Sequence, residues 1–212
     1  MVHWSYRAEA VQRLLPPGLL VDRFEGRAWV SLTPFEMASV RGLRVVPLPP
    51  AVFPETNLRT YVRLPDGRRG LWFFSLDVTA PLMLAARAIG VPYRLAELSV
   101  RARGAGMVYT GRRRGAQGVG YRLSIETGAP VEDVTPLDDW LTARWGAFSR
   151  RAGRLLLTPV HHEPWTLRRG TITELRQTLT RAAGLPDPGP ASLVHLSPGV
   201  GPVRLGPPRP VS

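Results

Sequence analysis

Four short segments carry side chains suited to chemistry. In Phe53-Pro54-Glu55-Thr56-Asn57-Leu58-Arg59-Thr60-Tyr61, strand alternation puts Glu55, Asn57, Arg59 and Tyr61 on one face, with Leu58, Thr60 and Val62 on the other. A carboxyl, an amide, a guanidinium and a phenol in line either meet solvent or line a pocket. Glu and Arg on that shared face can also pair and orient each other. In Gly90-Val91-Pro92-Tyr93-Arg94 a proline fixes the backbone just before a strand start. Tyr93 there can donate a hydrogen bond and Arg94 can hold a carboxylate; a core-filling tyrosine beside a surface arginine is the plainer alternative. In His161-His162-Glu163-Pro164-Trp165 the two histidines point to opposite faces of a strand, so they do not readily share a metal ion. One of them can face a pocket, and His161 is taken as the candidate. His195 and Ser197 are two apart and can share a face, but no sharp glycine-flanked turn makes a serine nucleophile of Ser197.

What is missing narrows the chemistry further. All 28 basic residues of this 212-residue chain are arginine, and there is no cysteine. Without lysine no side chain can form an imine with a carbonyl, and without cysteine there is neither thiolate catalysis nor a thiolate-held metal. Arginine substitutes for neither, because its guanidinium stays protonated. No G-x-G-x-x-G and no P-loop is present, and the histidine pair lacks the i, i+4 spacing of a zinc helix. The expectation is therefore no cofactor and no metal.

The net charge of +12 invites a nucleic-acid partner. However, the arginines are scattered through every segment, and the dense run Arg112-Arg113-Arg114 sits between glycines, as an exposed turn would. No apolar run approaches the roughly 20 residues of a membrane-spanning helix, and the first residues lack a signal-peptide pattern. The expectation is a cytoplasmic protein with neither a membrane nor a nucleic acid as partner.

The elements that must position these side chains are short, as 22 prolines and 21 glycines require. Helical spacing marks 6–15, stopped by Pro16-Pro17-Gly18. Leu19 to Val21 and Ala28 to Leu32 read as a hairpin, and 41–52 as a proline-rich loop. A second hairpin joins Leu58–Leu64 to Leu71–Val78 through Pro65-Asp66-Gly67. Thr79 and Pro81 open an apolar helix, expected to be buried, that ends at Gly90. Leu95–Arg101, Met107–Arg112 and Val119–Glu126 form an antiparallel meander. Thr135-Pro136 starts a helix, with Asp138 and Asp139 in its first turn. Arg154–Val160 is a strand, Thr171-Ile172-Thr173-Glu174 reads as a capping box for a helix ending near Gly184, and Val194–Leu196 is a short strand. Strand runs with inserted helices give an α+β fold with a largely antiparallel sheet, one domain over 1–205 and a disordered tail over 206–212.

Several pieces together resemble the bacterial family DUF2071, or YqjF-like proteins. They include Leu14-Leu15-Pro16-Pro17-Gly18-Leu19, Phe24-Glu25-Gly26-Arg27-Ala28-Trp29-Val30, the Phe53–Val62 segment, Gly90–Arg94, His161–Trp165 and His195-Leu196-Ser197-Pro198-Gly199-Val200. That family is similar in turn to the acetoacetate decarboxylase superfamily. The resemblance implies strongly bent sheets in a partly open, cone-like barrel around a deep apolar pocket. It also implies that the face of Glu55, Asn57, Arg59 and Tyr61 lines this pocket. The superfamily's decarboxylases carry Gly-x-Pro-Lys-Lys, whose first lysine forms the imine. Here Tyr93 stands at that position and Arg94 beside it, and Glu55 matches the superfamily's pocket glutamate.

The function expected is thus a small-molecule pocket protein for an organic acid or carbonyl compound, working without a lysine imine. Glu55 and Tyr93 would be catalytic in an acid–base enzyme, and Asn57, Arg59, Tyr61, Arg94, His161 and His195 would bind substrate. A binding protein without turnover uses the same residues. A basic nucleic-acid-binding protein and a partner-binding module are the alternatives. Superfamily relatives often assemble, which leaves a homo-oligomer open.

Overall fold

Strand-forming residues on either side of Pro65-Asp66-Gly67 build the longest hairpin, Phe53–Arg63 against Arg69–Val78. The computed structural model describes residues 1–37, 40–41 and 52–211. Its strands are β1 Val2–Tyr6, β2 Leu20–Val21, β3 Ala28–Met37, β4 Val40–Arg41, β5 Phe53–Arg63, β6 Arg69–Val78, β7 Tyr93–Arg103, β8 Gly106–Arg113, β9 Gly120–Pro130, β10 Gly146–Arg151, β11 Arg154–His161, β12 Arg168–Gln177, β13 Leu193–Leu196, β14 Val203–Leu205 and β15 Arg209–Pro210. The helices are short: α1 Ala8–Gln12, α2 Pro136–Thr142, α3 Leu179–Ala182 and a 3₁₀ helix Pro81–Ile89.

Nine strands close a ring in the order β5-β3-β1-β13-β12-β9-β8-β7-β6, with β6 returning to β5. Each of the nine sends apolar side chains into one core, among them Trp4, Leu32, Leu58, Leu98, Leu123 and Leu196. The expected antiparallel meander is β7-β8-β9, in continuous register from Ala96↔Arg113 to Gly106↔Glu126. The sheet is mixed at β6. Its first half pairs in parallel with β10 and its second half in parallel with β7. Beyond β10 the sheet continues through β11 and β14 to β4 and leaves the ring. The fold is α+β, mostly strand, with the strongly bent sheet that the resemblance implied.

The ring interior is packed with side chains, so the pocket is not there. It lies on the opposite face of β3, β5 and β6, roofed by the 3₁₀ helix and the β10-β11-β14 extension. A bulge makes this possible. In the β5–β6 register Leu58 pairs with Ser75 and Arg59 with Phe73, so Phe74 is the extra residue. Before the bulge Leu71 and Phe73 face the pocket; after it Leu76 does, while Phe74 packs into the ring core.

Several expectations are corrected. β2 pairs with β5 rather than with β3, whose partners are β1 and β5; the turn at Phe24-Glu25-Gly26 does form, closed by two backbone hydrogen bonds between Phe24 and Arg27, but it does not pair β2 with β3. The Thr171–Glu174 capping box starts no helix. It lies inside β12, because Thr171, Ile172 and Thr173 are β-branched and the segment gains a long ladder with β9. Only the end of that stretch is helical, as α3. The helix before Gly90 is 3₁₀ and not buried all round: Met83 and Ala86 are inside, whereas Leu82 is 51% exposed. At three residues per turn, Met83, Ala86 and Ile89 share one stripe, and all three line the pocket. The tail is docked, with β15 pairing to β11 and the Val211 amide bonded to the Leu155 carbonyl. Apart from Arg41 and Val52, the expected loop 41–52 lies outside the described residues. The α2 helix forms as expected, with Thr135 and Asp138 completing a capping box.

Gly90 ends the 3₁₀ helix at φ +82°, and a Cβ there would stand 2.2 Å from the Arg150 carbonyl oxygen of β10. That close approach locks the turn leading into Tyr93 against the β10 backbone. Gly90→Ala should therefore lower stability by more than about 1 kcal/mol. The check is urea denaturation, with Gly67→Ala, whose Cβ meets nothing, as the control for left-handed strain alone.

Candidate functional site

β5 is buried along almost its whole length, on both faces. Its even positions, such as Thr56 and Leu58, face the ring core, and Glu55, Asn57 and Arg59 line a cavity of ≈ 210 Å³. Antiparallel register sets Phe35, Thr33 and Ser31 beside them, in that order. The rest of the wall is mostly apolar and aromatic, from β6, the 3₁₀ helix, β10, β11 and β14.

Tyr93 enters the cavity from the start of β7, which parallel pairing holds beside Leu76. Its hydroxyl donates to Glu55 Oε2 at 3.1 Å. Burial drives Glu55 up to about 7, partly offset by that hydrogen bond. Burial, then the adjacent carboxylate, raises Tyr93 well above its ordinary value, so it remains a phenol. A carboxyl that is about half ionised near neutrality, touching a fixed hydroxyl, can both take and give a proton.

Arg59 is the other pole. It is 7% exposed, and among the described residues no carboxylate pairs with it. No Asp or Glu occurs at 38–39 or 42–51 either. Nη2 reaches only the Met1 sulfur, at 3.7 Å, and Nε has no partner. Asn57 Oδ1 and Thr33 Oγ1, neighbours in register, are also buried without a hydrogen bond. Unpaired buried polar groups cost several kcal/mol when charged, and native structures usually satisfy them. Here they gather on one cavity wall. The expected Glu55–Arg59 pair does not form, since Asn57 stands between them on the strand and Tyr93 takes the carboxyl.

The other candidate residues lie elsewhere. Tyr61, next in line after Arg59, is completely buried. Its hydroxyl lies 2.7 Å from Ser31 Oγ and donates to the Leu141 carbonyl at 3.0 Å. α2 closes the cavity here, with the Trp140 ring tilted against that of Tyr61, centroids 4.6 Å apart. Arg94 is exposed and points away from the cavity, because the residue after Tyr93 on a strand takes the opposite face. By the same rule His161 is exposed while His162 lines the cavity, flanked by Trp145 and Trp165 at ring separations of 4.9 and 5.3 Å. His195 is fully buried in a hydrogen-bonded chain: Asp138 Oδ1 to His195 Nε2 at 2.8 Å, His195 Nδ1 to His3 Nε2 at 3.2 Å, and His3 Nδ1 to Ser31 Oγ at 2.7 Å. Burial alone would raise the Asp138 pKa, but hydrogen bonds from Arg169, Thr135 and His195 outweigh it and hold the carboxylate ionised. An ionised Asp138 only accepts, so His195 donates Nε2–H and its Nδ1 accepts from His3. His3 Nδ1 then accepts from Ser31, so the Tyr61 hydroxyl hydrogen is shared between Ser31 Oγ and the Leu141 carbonyl. This chain is structural and runs behind Arg59. His162 settles which of the two adjacent histidines faces the cavity, and Thr33 and Arg144 are cavity residues that were not candidates on the sequence; the alternation that places Phe35 and Glu55 identifies Thr33 once β3 is known to pair with β5.

The DUF2071 family model, described as an uncharacterized conserved protein, matches residues 1–201. The chain belongs to DUF2071. Consistent with this, it is 32% identical over 199 residues to "Uncharacterized protein YqjF" of Bacillus subtilis (strain 168), covering 91% of this chain and 81% of that one. Two solved structures share the DUF2071 chain's fold with a TM-score of 0.64 each. One is the enduracididine biosynthesis enzyme MppR complexed with pyruvate, 17% identical, covering 100% of this chain and 86% of that one. The other is acetoacetate decarboxylase from Legionella pneumophila, 12% identical, covering 100% and 83%. Among the described residues no helix is long and apolar enough to cross a membrane.

Two pH dependences of opposite sign follow. Glu55 is raised in the folded protein, so the folded state holds its proton longer than the unfolded chain, and stability falls as pH rises from about 4.5 to about 7. Glu55→Gln should therefore be more stable than the parent at pH 8, by up to about 3 kcal/mol, and the gap should close by pH 4.5. Denaturation at the two pH values measures it. His3 and His195 are lowered, first by burial. Their contribution is present above about 6.5 and is lost as pH falls below it. In the Glu55→Gln background, stability should decline from pH 7.5 to 5.5, and adding His3→Gln should flatten that slope.

Proposed function

We propose that this protein binds a small organic acid bearing a carbonyl group and acts on it by acid–base chemistry, without an imine. The observation that carries this is Arg59, a buried guanidinium with no acidic partner among the described residues, on a cavity wall shared with the Glu55–Tyr93 pair. A ligand carboxylate there would give Arg59 the counter-charge that the protein withholds. Asn57 and Thr33 lie between the two poles, within reach of a ligand carbonyl or hydroxyl.

In this reading Glu55 removes a proton from the carbon next to the carbonyl. Once Glu55 is protonated it no longer needs the Tyr93 hydrogen, and that hydroxyl turns to stabilise the enolate oxygen. Returning the proton to another carbon is isomerisation; expelling a neighbouring group is elimination, and its reverse is hydration. The resemblance of Gly90–Arg94 to Gly-x-Pro-Lys-Lys puts Tyr93 at the position of the decarboxylases' imine lysine, and no side chain in the sequence supplies that amine. MppR, which shares the fold, was solved with pyruvate, so 2-oxo acids are the first class to test.

A thermal-shift screen of short 2-oxo and hydroxy acids tests binding, since a ligand selective for the native state raises the melting temperature. Hits should lose about tenfold or more in affinity in Arg59→Met, the size of one charge-assisted contact. Unchanged affinity would remove Arg59 as the anchor. If a hit is turned over, the rate should rise with pH through about 7 and vanish in Glu55→Gln, with a smaller loss in Tyr93→Phe. Turnover indifferent to both substitutions would place the chemistry on other residues.

A further inference from the structure

The inner end of the cavity holds a second arginine that the fold leaves incompletely used. Arg144, two residues beyond α2, lines the cavity and is buried. Its Nε donates to the Trp140 carbonyl at 2.9 Å and its Nη1 to Asp22 Oδ2 at 2.9 Å. The guanidinium lies 4.3 Å over the Trp140 ring and 5.3 Å over that of Tyr61, which fixes its plane. Nη2 is buried and has no partner. Asp22 does not belong to Arg144 alone, because Arg69 Nε approaches the same oxygen at 3.5 Å.

Arg59 and Arg144 line the same cavity. Tyr61 follows Arg59 on the same face of β5, about 6.6 Å further along at strand rise, and Arg144 sits over Tyr61. Two buried guanidiniums, one without an acid among the described residues and one sharing its acid, therefore line one cavity whose own acid, Glu55, is held by Tyr93. We infer that the preferred ligand is a short dicarboxylate, one carboxylate on Arg59 and the second on the free N–H of Arg144. This rests on the organic-acid reading above. A monoanion held on Arg59 would leave the Arg144 N–H without a partner.

The test is a pair of ligands of equal chain length that differ by one carboxylate, 2-oxopentanoate and 2-oxoglutarate, titrated calorimetrically at pH 7.5. The dianion should bind about tenfold or more tightly, as one further charge-assisted hydrogen bond requires. In Asp22→Asn/Arg144→Gln, which removes the ion pair without stranding either charge, the ratio of the two affinities should fall to about one. Arg59→Met should weaken both ligands. Equal affinities in the parent protein, with 2-oxopentanoate still dependent on Arg59, overturn the dicarboxylate inference alone. No binding of either ligand overturns the organic-acid reading with it. A dianion preference that survives the double substitution also overturns the role of Arg144. The parent ratio needs no variant, so the inference stays open to refutation even if the double substitution does not fold.

Discussion

The site depends on β5 being buried from both sides. A half-buried strand can turn its polar face to water, but this one has the ring core behind it and the roofed cavity in front. Its four polar residues on the cavity side must therefore find partners, neutralise, or wait for a ligand. Glu55 finds a phenol and moves toward neutrality. Tyr61 finds Ser31 and the Leu141 carbonyl. Asn57 and Arg59, in the middle, find almost nothing. The same pleat that makes β5 the best-packed strand of the ring also concentrates its unsatisfied groups in one place.

Such an arrangement works against stability, which points to function. A core built only to fold would have placed leucine or valine at 55, 57 and 59, as it does at 58 and 62. The neighbouring strands show how polar groups are treated when they serve structure alone. His3, His195, Asp138 and Ser31 are equally buried, yet each is hydrogen-bonded, and the charge of Asp138 is balanced by the partly exposed Arg169. The contrast between that closed network and the open one beside it separates framework from cavity chemistry more cleanly than residue type does. Three of the four histidines illustrate it: two are framework and one, His162, is cavity wall.

Local patterns carried much of the fold. Turn residues flanked by strand formers marked β5-β6 and β7-β8-β9, and Thr135-Pro136 marked α2, because each of these signals is complete within a few residues. Where tertiary pairing overrides a local signal, the sequence misleads. Thr171 to Glu174 satisfies the spacing of a capping box, yet β9 offers its backbone a ladder, and β-branched residues accept it. β1 alternates strictly, with Val2, Trp4 and Tyr6 in the core, but five residues next to a helical pattern are a weak local signal; GAFSRR of β10 shows little alternation and owes its strand geometry to pairing with β11 and β6. The site was legible where one strand carried it, at Glu55, Asn57 and Arg59, and at Tyr93 through the family motif. It was not legible at Thr33 and Arg144, which reach the cavity only because β3 pairs with β5 and α2 closes its end. Arg94 and His161 failed for one reason, a choice between adjacent strand residues that the sequence leaves open by one position.

The place of Tyr93 has a practical side. In a chain without lysine, Tyr93→Lys would create the single ε-amine of the molecule, seated in an apolar cavity against Glu55. Reductive trapping with an aldehyde or ketone would then label that position with no other side chain competing, and mass spectrometry would read which carbonyl compounds enter. The arginine-only composition, which bars one reaction from this protein, thereby makes its cavity addressable by covalent chemistry.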